Sequence, residues 1–132
     1  MSEPGEIRNF QSILIIDDDD QFRGFLRELL ESKGFHTFEA SNGEAGLLAY
    51  EQHNPDMVLT DIIMPEKEGL EMIKDLIKVD PKARIIAMTG GGNYGFCNNY
   101  VQLAKIMGAY TALVKPFQTE VLMNAIRDME AA

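Results

Sequence analysis

The chain has 132 residues, 45% of them hydrophobic, and a formal net charge of −9. That is one domain's worth of sequence with enough apolar material for a real core, so global disorder is excluded. The acidic balance argues against direct nucleic-acid binding through a basic face. The lone cysteine, Cys97, rules out an internal disulfide or a cysteine-based zinc site, and no apolar stretch approaches the ~20 residues needed to cross a bilayer. The expectation is a soluble, cytoplasmic protein with no membrane contact.

Met1–Gln11 is polar and reads as a flexible leader to a single domain over residues 12–130. Ser12–Asp17 is the first predicted strand, a continuous aliphatic run that ends in Asp17-Asp18-Asp19-Asp20. Phe22, Phe25, Leu26, Leu29 and Leu30 recur at helical spacing and predict a helix over Gln21–Lys33. Asp19 or Asp20 can cap it, and Gly34 can stop it in a left-handed conformation. His36–Ala40 is a short second strand. Ser41-Asn42-Gly43-Glu44 has the spacing of a capping box and starts a second helix that runs to about Gln52. Met57–Thr60 is a third strand running into Asp61, and Pro65 and Gly69 punctuate the loop beyond it. In the third helix Leu70, Ile73, Leu76 and Ile77 should face inward. Arg84–Met88 is a fourth strand, leading to Thr89-Gly90-Gly91-Gly92. A fourth helix is expected from about Asn99 to Met107, a fifth strand at Thr111–Val114 before Lys115-Pro116, and a last helix at Thr119–Glu130.

Five strand–helix pairs imply a parallel sheet covered on both faces. Right-handed crossovers bring the carboxyl ends of all the strands to one rim, where such folds bind ligands. On that rim the first strand leaves Asp17 and Asp18, the third Asp61, the fourth Thr89 and the fifth Lys115. Like charges crowded at a strand end need a cation or a proton to offset them. Three carboxylates make a hard oxygen site suited to Mg²⁺, and a lysine and a threonine beside them suit a phosphoryl group. Together they describe a carboxylate that can be phosphorylated, with Asp61 as the nucleophile.

Ile13–Asp18, Leu59-Thr60-Asp61-Ile62-Ile63-Met64-Pro65 with Gly69, Ile86-Ala87-Met88-Thr89 and Lys115-Pro116-Phe117 stand in one order and spacing. In these the chain resembles the receiver domain of two-component response regulators, over about Ser12 to Met129. The resemblance implies a flavodoxin-like, doubly wound α/β fold: a five-stranded parallel sheet in the order 2-1-3-4-5 with five helices. It implies that Asp61 accepts a phosphoryl group from the phosphohistidine of a sensor histidine kinase or a phosphotransfer protein. Mg²⁺ would be held by Asp18 directly, Asp17 mostly through water, Asp61, and the backbone carbonyl of Ile63. Thr89, the amide of Gly90 and Lys115 would hold the phosphoryl oxygens, and the Lys115–Pro116 bond would be cis. The output would run through a downstream protein target, with a homodimer on activation as one form it can take. The domain would not be an enzyme beyond catalysing its own aspartyl phosphorylation and dephosphorylation.

Two departures stand out. Receivers usually carry an aromatic residue three positions before the lysine, and here that position is Ala112, which leaves Thr89 without its partner in the usual switch. Tyr110 should point to the same face as Ala112 by strand alternation. The stretch from Thr89 to Gly108 is also longer than usual, which predicts a long loop there and a signal carried by its reordering over residues 90–98. Ile63 and Gly91, two residues beyond Asp61 and Thr89, offer no polar side chain to orient an attacking water, which predicts slow loss of the phosphoryl group.

Other readings are weaker. The acidic run lacks the alternating ligands, central glycine and distant glutamate of an EF-hand. Gly90-Gly91-Gly92-Asn93-Tyr94-Gly95 matches a dinucleotide fingerprint in form only, because no acidic residue ends the following strand. His36 and His53 have no third ligand in view. A phosphatase acting on outside substrates commonly carries a second Asp two residues after the nucleophile, where this chain has Ile63. A receiver that binds partners without phosphorylation is kept alive by Ala112. No linker or DNA-binding segment follows Ala132, so a stand-alone regulator is expected, with a receiver fragment of a longer transcription factor or output enzyme as the alternative.

Overall fold

A computed structural model describes residues 10–62, 68–90 and 97–132, the side chains of residues 68, 69 and 97–100 excepted. In chain order the elements are β1 (Ser12–Ile16), α1 (Asp20–Ser32), β2 (His36–Ala40), α2 (Gly43–His53), β3 (Met57–Asp61), α3 (Glu68–Val79), β4 (Ile85–Gly90), α4 (Cys97–Met107), β5 (Thr111–Lys115) and α5 (Thr119–Ala131). All strand pairings are parallel, in the order β2-β1-β3-β4-β5.

The central strands are apolar on both sides because both faces of the sheet are covered. Alternation along each strand divides the interior in two. Leu14, Ile16, Val58, Ile85, Ala87 and Ala112 face one way and pack with Tyr50, Met72, Ile73, Leu76 and Ala104 from α2, α3 and α4. Ile13, Ile15, Met57, Leu59, Ile86, Met88 and Leu113 face the other way, against Leu26, Leu30, Leu122, Ile126 and Met129 from α1 and α5. Leu70 and Ile77 sit partly buried against the first of these cores, as their helical spacing predicts.

Local chemistry sets the element ends. Asp19 caps α1, its Oδ1 accepting from the amides of Gln21 and Phe22. Gly34 follows that helix at φ +96°. The start of α2 differs from the expected capping box. The cap is Asn42 rather than Ser41: its backbone is extended and its Oδ1 accepts from the amide of Ala45 at 2.8 Å. Asn54 closes α2 in the left-handed region, at φ 49°. Phe10 and Gln11 are tied to the domain, Phe10 N donating to Glu130 Oε2 and Gln11 N to Asp56 Oδ2.

The register aligns the strand ends that matter. Ile16 pairs with Thr60, Asp61 with Met88, and Gly90 with Lys115. One residue beyond β1, the amide of Asp17 still donates to Ala40 O at 3.1 Å. Asp17, Asp61, Thr89 and Lys115 therefore all arrive at one rim of the sheet.

Candidate functional site

Asp17 is fully buried and Asp61 is buried, yet both are carboxylates. Lys115 accounts for this: its ammonium donates to Asp17 Oδ2 at 2.8 Å and to Asp61 Oδ2 at 2.9 Å. Burial disfavours the charge on Lys115, but its hydrogen bonds to the two carboxylates and their negative charge outweigh that, so its pKa lies above the ordinary lysine value. The ring of Phe22 lies 4.3 Å from the same ammonium, within cation–π range, and meets Phe117 edge-on. The peptide bond between Lys115 and Pro116 is cis.

Every polar atom of Asp17 is engaged. Its amide reaches Ala40 O, its Oδ1 accepts from the amide of Asp19 at 2.9 Å, its Oδ2 accepts from Lys115, and its carbonyl accepts from Arg23 Nη1 at 2.6 Å. Asp18, exposed, completes an acidic triad with Asp17 and Asp61 in which one oxygen from each lies within 4.8 Å of the others. Three carboxylates against one ammonium, which of the three bonds only Asp17 and Asp61, leave excess negative charge. An all-oxygen donor set with two buried members and one exposed member suits a hard divalent cation such as Mg²⁺.

Thr89 supplies a second feature that suits a phosphoryl group. Its side chain is fully buried, and among the described residues its Oγ1 has no hydrogen-bond partner. A buried, unsatisfied hydroxyl costs about 1–3 kcal/mol, a cost that an oxyanion placed beside it would remove. Gly90, opposite Lys115 in the register, ends β4 on the same rim.

The structure thus brings together Asp17, Asp18, Asp61 and Lys115, with Thr89 on the adjoining strand. Ile63 and Gly91 lie outside the described residues, as does most of the stretch expected to be a loop over 90–98; of its ends, Gly90 belongs to β4 and α4 begins at Cys97, earlier than the expected Asn99. Ala112 is buried with Ala87, Ala104 and Ala109 in the core on the α3–α4 side. Tyr110 does not follow it. It precedes the first residue of β5, is 41% exposed, and borders a groove with Lys105, Leu113 and Val121. Strand alternation does not extend to a residue outside the strand. The two histidines are brought together on Phe38: His53 stacks on its ring at 4.1 Å and His36 meets it edge-on at 4.9 Å. Arg23 and Glu39 were not foreseen. The available signal was the position of Arg23 one helical turn after Asp20, an i,i+3 pairing that the structure forms at 2.8 Å.

Fold and site together define a doubly wound α/β domain with a carboxylate–lysine centre at the carboxyl ends of its strands. The family model for the response regulator receiver domain matches residues 13–127, and the chain belongs to that family, the signalling domains of two-component systems. It is 36% identical over 115 residues to chemotaxis protein CheY of Bacillus subtilis, covering 86% of this chain and 92% of that protein. It is 33% identical over 117 residues to sporulation initiation phosphotransferase F of the same organism, covering 89% and 91%. Among solved structures it is similar to the CheX-CheY-BeF3-Mg+2 complex from Borrelia burgdorferi, with a TM-score of 0.79 and 28% identity over 89% of this chain and 87% of that one. Among the described residues no helix is long and apolar enough to cross a membrane.

Proposed function

We propose that this receiver domain is a phosphoacceptor and that Asp61 is the residue phosphorylated, by the phosphohistidine of a sensor histidine kinase or a phosphotransfer protein. The observation that carries this reading is the single ammonium of Lys115 bridging Asp17 and Asp61. A carboxylate held beside a lysine and two further acids can receive a phosphoryl group without exposing its charge to the core. An oxygen of Asp61 attacks phosphorus. The P–N bond to the imidazole breaks as the P–O bond forms, and the leaving imidazole keeps the electron pair and takes up a proton.

Asp17, Asp18 and Asp61, with the carbonyl of Ile63, would hold Mg²⁺. When bound, the ion screens the charge that gathers on the transferring phosphoryl group. Lys115 moves from neutralising two carboxylates to pairing with a phosphoryl oxygen. Thr89 Oγ1, without a hydrogen-bond partner among the described residues, would gain an acceptor, and the amide of Gly90 would donate beside it. The CheY of the similar complex is described with BeF3 and Mg+2, which supports the same pairing of ion and anion here.

The state change would be read by a downstream protein target through the region from residue 89 to 115. With alanine at position 112, the readout would rest on the stretch of chain that joins β4 to α4 rather than on an aromatic side chain at that position. A homodimer on activation is a further part of this proposal, as is a cytoplasmic location. Both rest on the family alone.

The test is intact-protein mass after incubation with acetyl phosphate and Mg²⁺, beside Asp61→Asn. One phosphoryl adduct on the native chain, absent from the variant and absent without Mg²⁺, is the expected result. No adduct from acetyl phosphate or from a phosphorylated histidine donor would overturn the reading in favour of a receiver that binds partners unphosphorylated. With apolar Ile63 and Gly91 standing two positions after Asp61 and Thr89 in the sequence, the adduct should persist for many minutes in Mg²⁺. A half-life of seconds would contradict the role given to those two positions.

A further inference from the structure

Arg23 lies on the first turns of α1, and its guanidinium makes three hydrogen bonds in different directions. Nη1 donates to the carbonyl of Asp17 at 2.6 Å, Nη2 to Asp20 Oδ1 at 2.8 Å, and Nε to Glu39 Oε1 at 3.1 Å. Glu39 in turn accepts from Arg27 Nη1 at 3.1 Å through its other oxygen. Glu39 precedes Ala40 on β2, and the carbonyl of Ala40 holds the amide of Asp17. The peptide groups on both sides of Asp17 are therefore fixed, one from β2 and one from α1. The Asp17 carbonyl belongs to the peptide that carries Asp18.

We propose that Arg23 is a positioning residue for the acidic pair: by gripping the Asp17 carbonyl it sets the direction in which Asp18 presents its carboxylate to the cation. Each of the three acceptors is met by a different nitrogen of one planar fork; a lysine would bring a single nitrogen in their place, so Arg23→Lys is not a conservative change here. Groups that orient metal ligands from behind commonly change metal affinity by 10–100-fold when replaced. The inference rests on the Mg²⁺ reading of the site, and it concerns a residue that touches neither the ion nor the phosphoryl group.

The experiment compares the native chain, Arg23→Lys and Arg27→Ala. Mg²⁺ affinity is measured by calorimetry on protein shown by circular dichroism to be folded. The rate of phosphorylation by acetyl phosphate is then measured across a Mg²⁺ series. Arg23→Lys should weaken Mg²⁺ binding about tenfold. It should raise the Mg²⁺ concentration for half-maximal rate by the same factor and leave the plateau rate near that of the native chain. Arg27→Ala loosens Glu39 without touching Asp17 and should leave Mg²⁺ affinity unchanged. Native affinity in Arg23→Lys, or equal weakening in both variants, would show a mere brace between α1 and β2 and overturn the proposal. A native chain that takes up no Mg²⁺ would overturn the metal reading itself, which is a separate outcome. A variant-free check is the Arg23 Nε–H resonance in a Mg²⁺ titration. It should shift with the same midpoint as the Asp18 amide, and its failure to move would also overturn the proposal.

Discussion

At Lys115 one ammonium stands between two buried carboxylates, 2.8 Å from Asp17 and 2.9 Å from Asp61. Removing one partner of a buried ion pair costs about 3–5 kcal/mol, because the group left behind keeps its charge without compensation. Lys115→Met should therefore lower the stability of the apo protein by about that much in urea unfolding. Part of the loss should return on adding Mg²⁺, and no return would argue against a cation at the triad. The pH dependence has a definite sign. A lysine whose pKa is raised on folding stabilises fully below its unfolded value, and that contribution is lost as pH rises through the folded one. Stability should thus fall above about pH 10.5, the ordinary lysine value. Lys115→Met should lack that part of the fall. Tyr50 titrates in the same alkaline range, since burial and its 2.6 Å bond to Asp80 hold the phenol protonated above its usual value. Tyr50→Phe is the control that separates the two.

Gly24 and Gly108 give opposite expectations for one kind of substitution. Gly24 lies inside α1, and a Cβ there would meet nothing within 4 Å. Gly24→Ala should stabilise by about 0.5–1 kcal/mol through helix propensity alone. Gly108 follows α4 at φ +129°, and a Cβ there would come within 2.7 Å of Ile77 Cγ1. Backbone strain and overpacking add, so Gly108→Ala should destabilise by about 2–4 kcal/mol. Urea denaturation of both variants checks the pair, and a neutral Gly108→Ala would contradict the placement of α4 against α3. The elements themselves were readable where burial is two-sided. Ile13–Ile16 and Met57–Leu59 are fully buried apolar runs, and such runs admit little besides a central strand. Ends were harder to read. Ser41 and Asn42 can both cap a helix, and only the path of the chain from β2 selects Asn42.

Across the whole molecule, the doubly wound order brings the ends of β1, β3, β4 and β5 to one rim. That is why residues 98 positions apart, Asp17 and Lys115, share a hydrogen bond. The convergence of Asp17, Asp18, Asp61, Thr89 and Lys115 was legible in the sequence because each stands at the carboxyl end of an apolar strand or just beyond it, and the topology makes strand ends converge. Arg23 was not, because a charged residue inside an amphipathic helix reads as solvated surface until the pairing of β1 with β2 brings Glu39 beside it. Nor was the shared contact of His36 and His53 with Phe38, which depends on α2 lying against the edge strand. The net charge of −9 describes the surface as a whole, whereas the chemistry depends on a local excess of carboxylates over one lysine.

If Asp61 itself becomes the acyl phosphate, borohydride trapping after phosphorylation with acetyl phosphate and Mg²⁺, followed by peptide mass mapping, will locate it there. Reduction of an aspartyl phosphate leaves homoserine, which is expected at position 61 alone, with none in the sample lacking Mg²⁺. Homoserine at another aspartate, or an unmodified residue 61 in protein that carries the adduct, would contradict that role for Asp61.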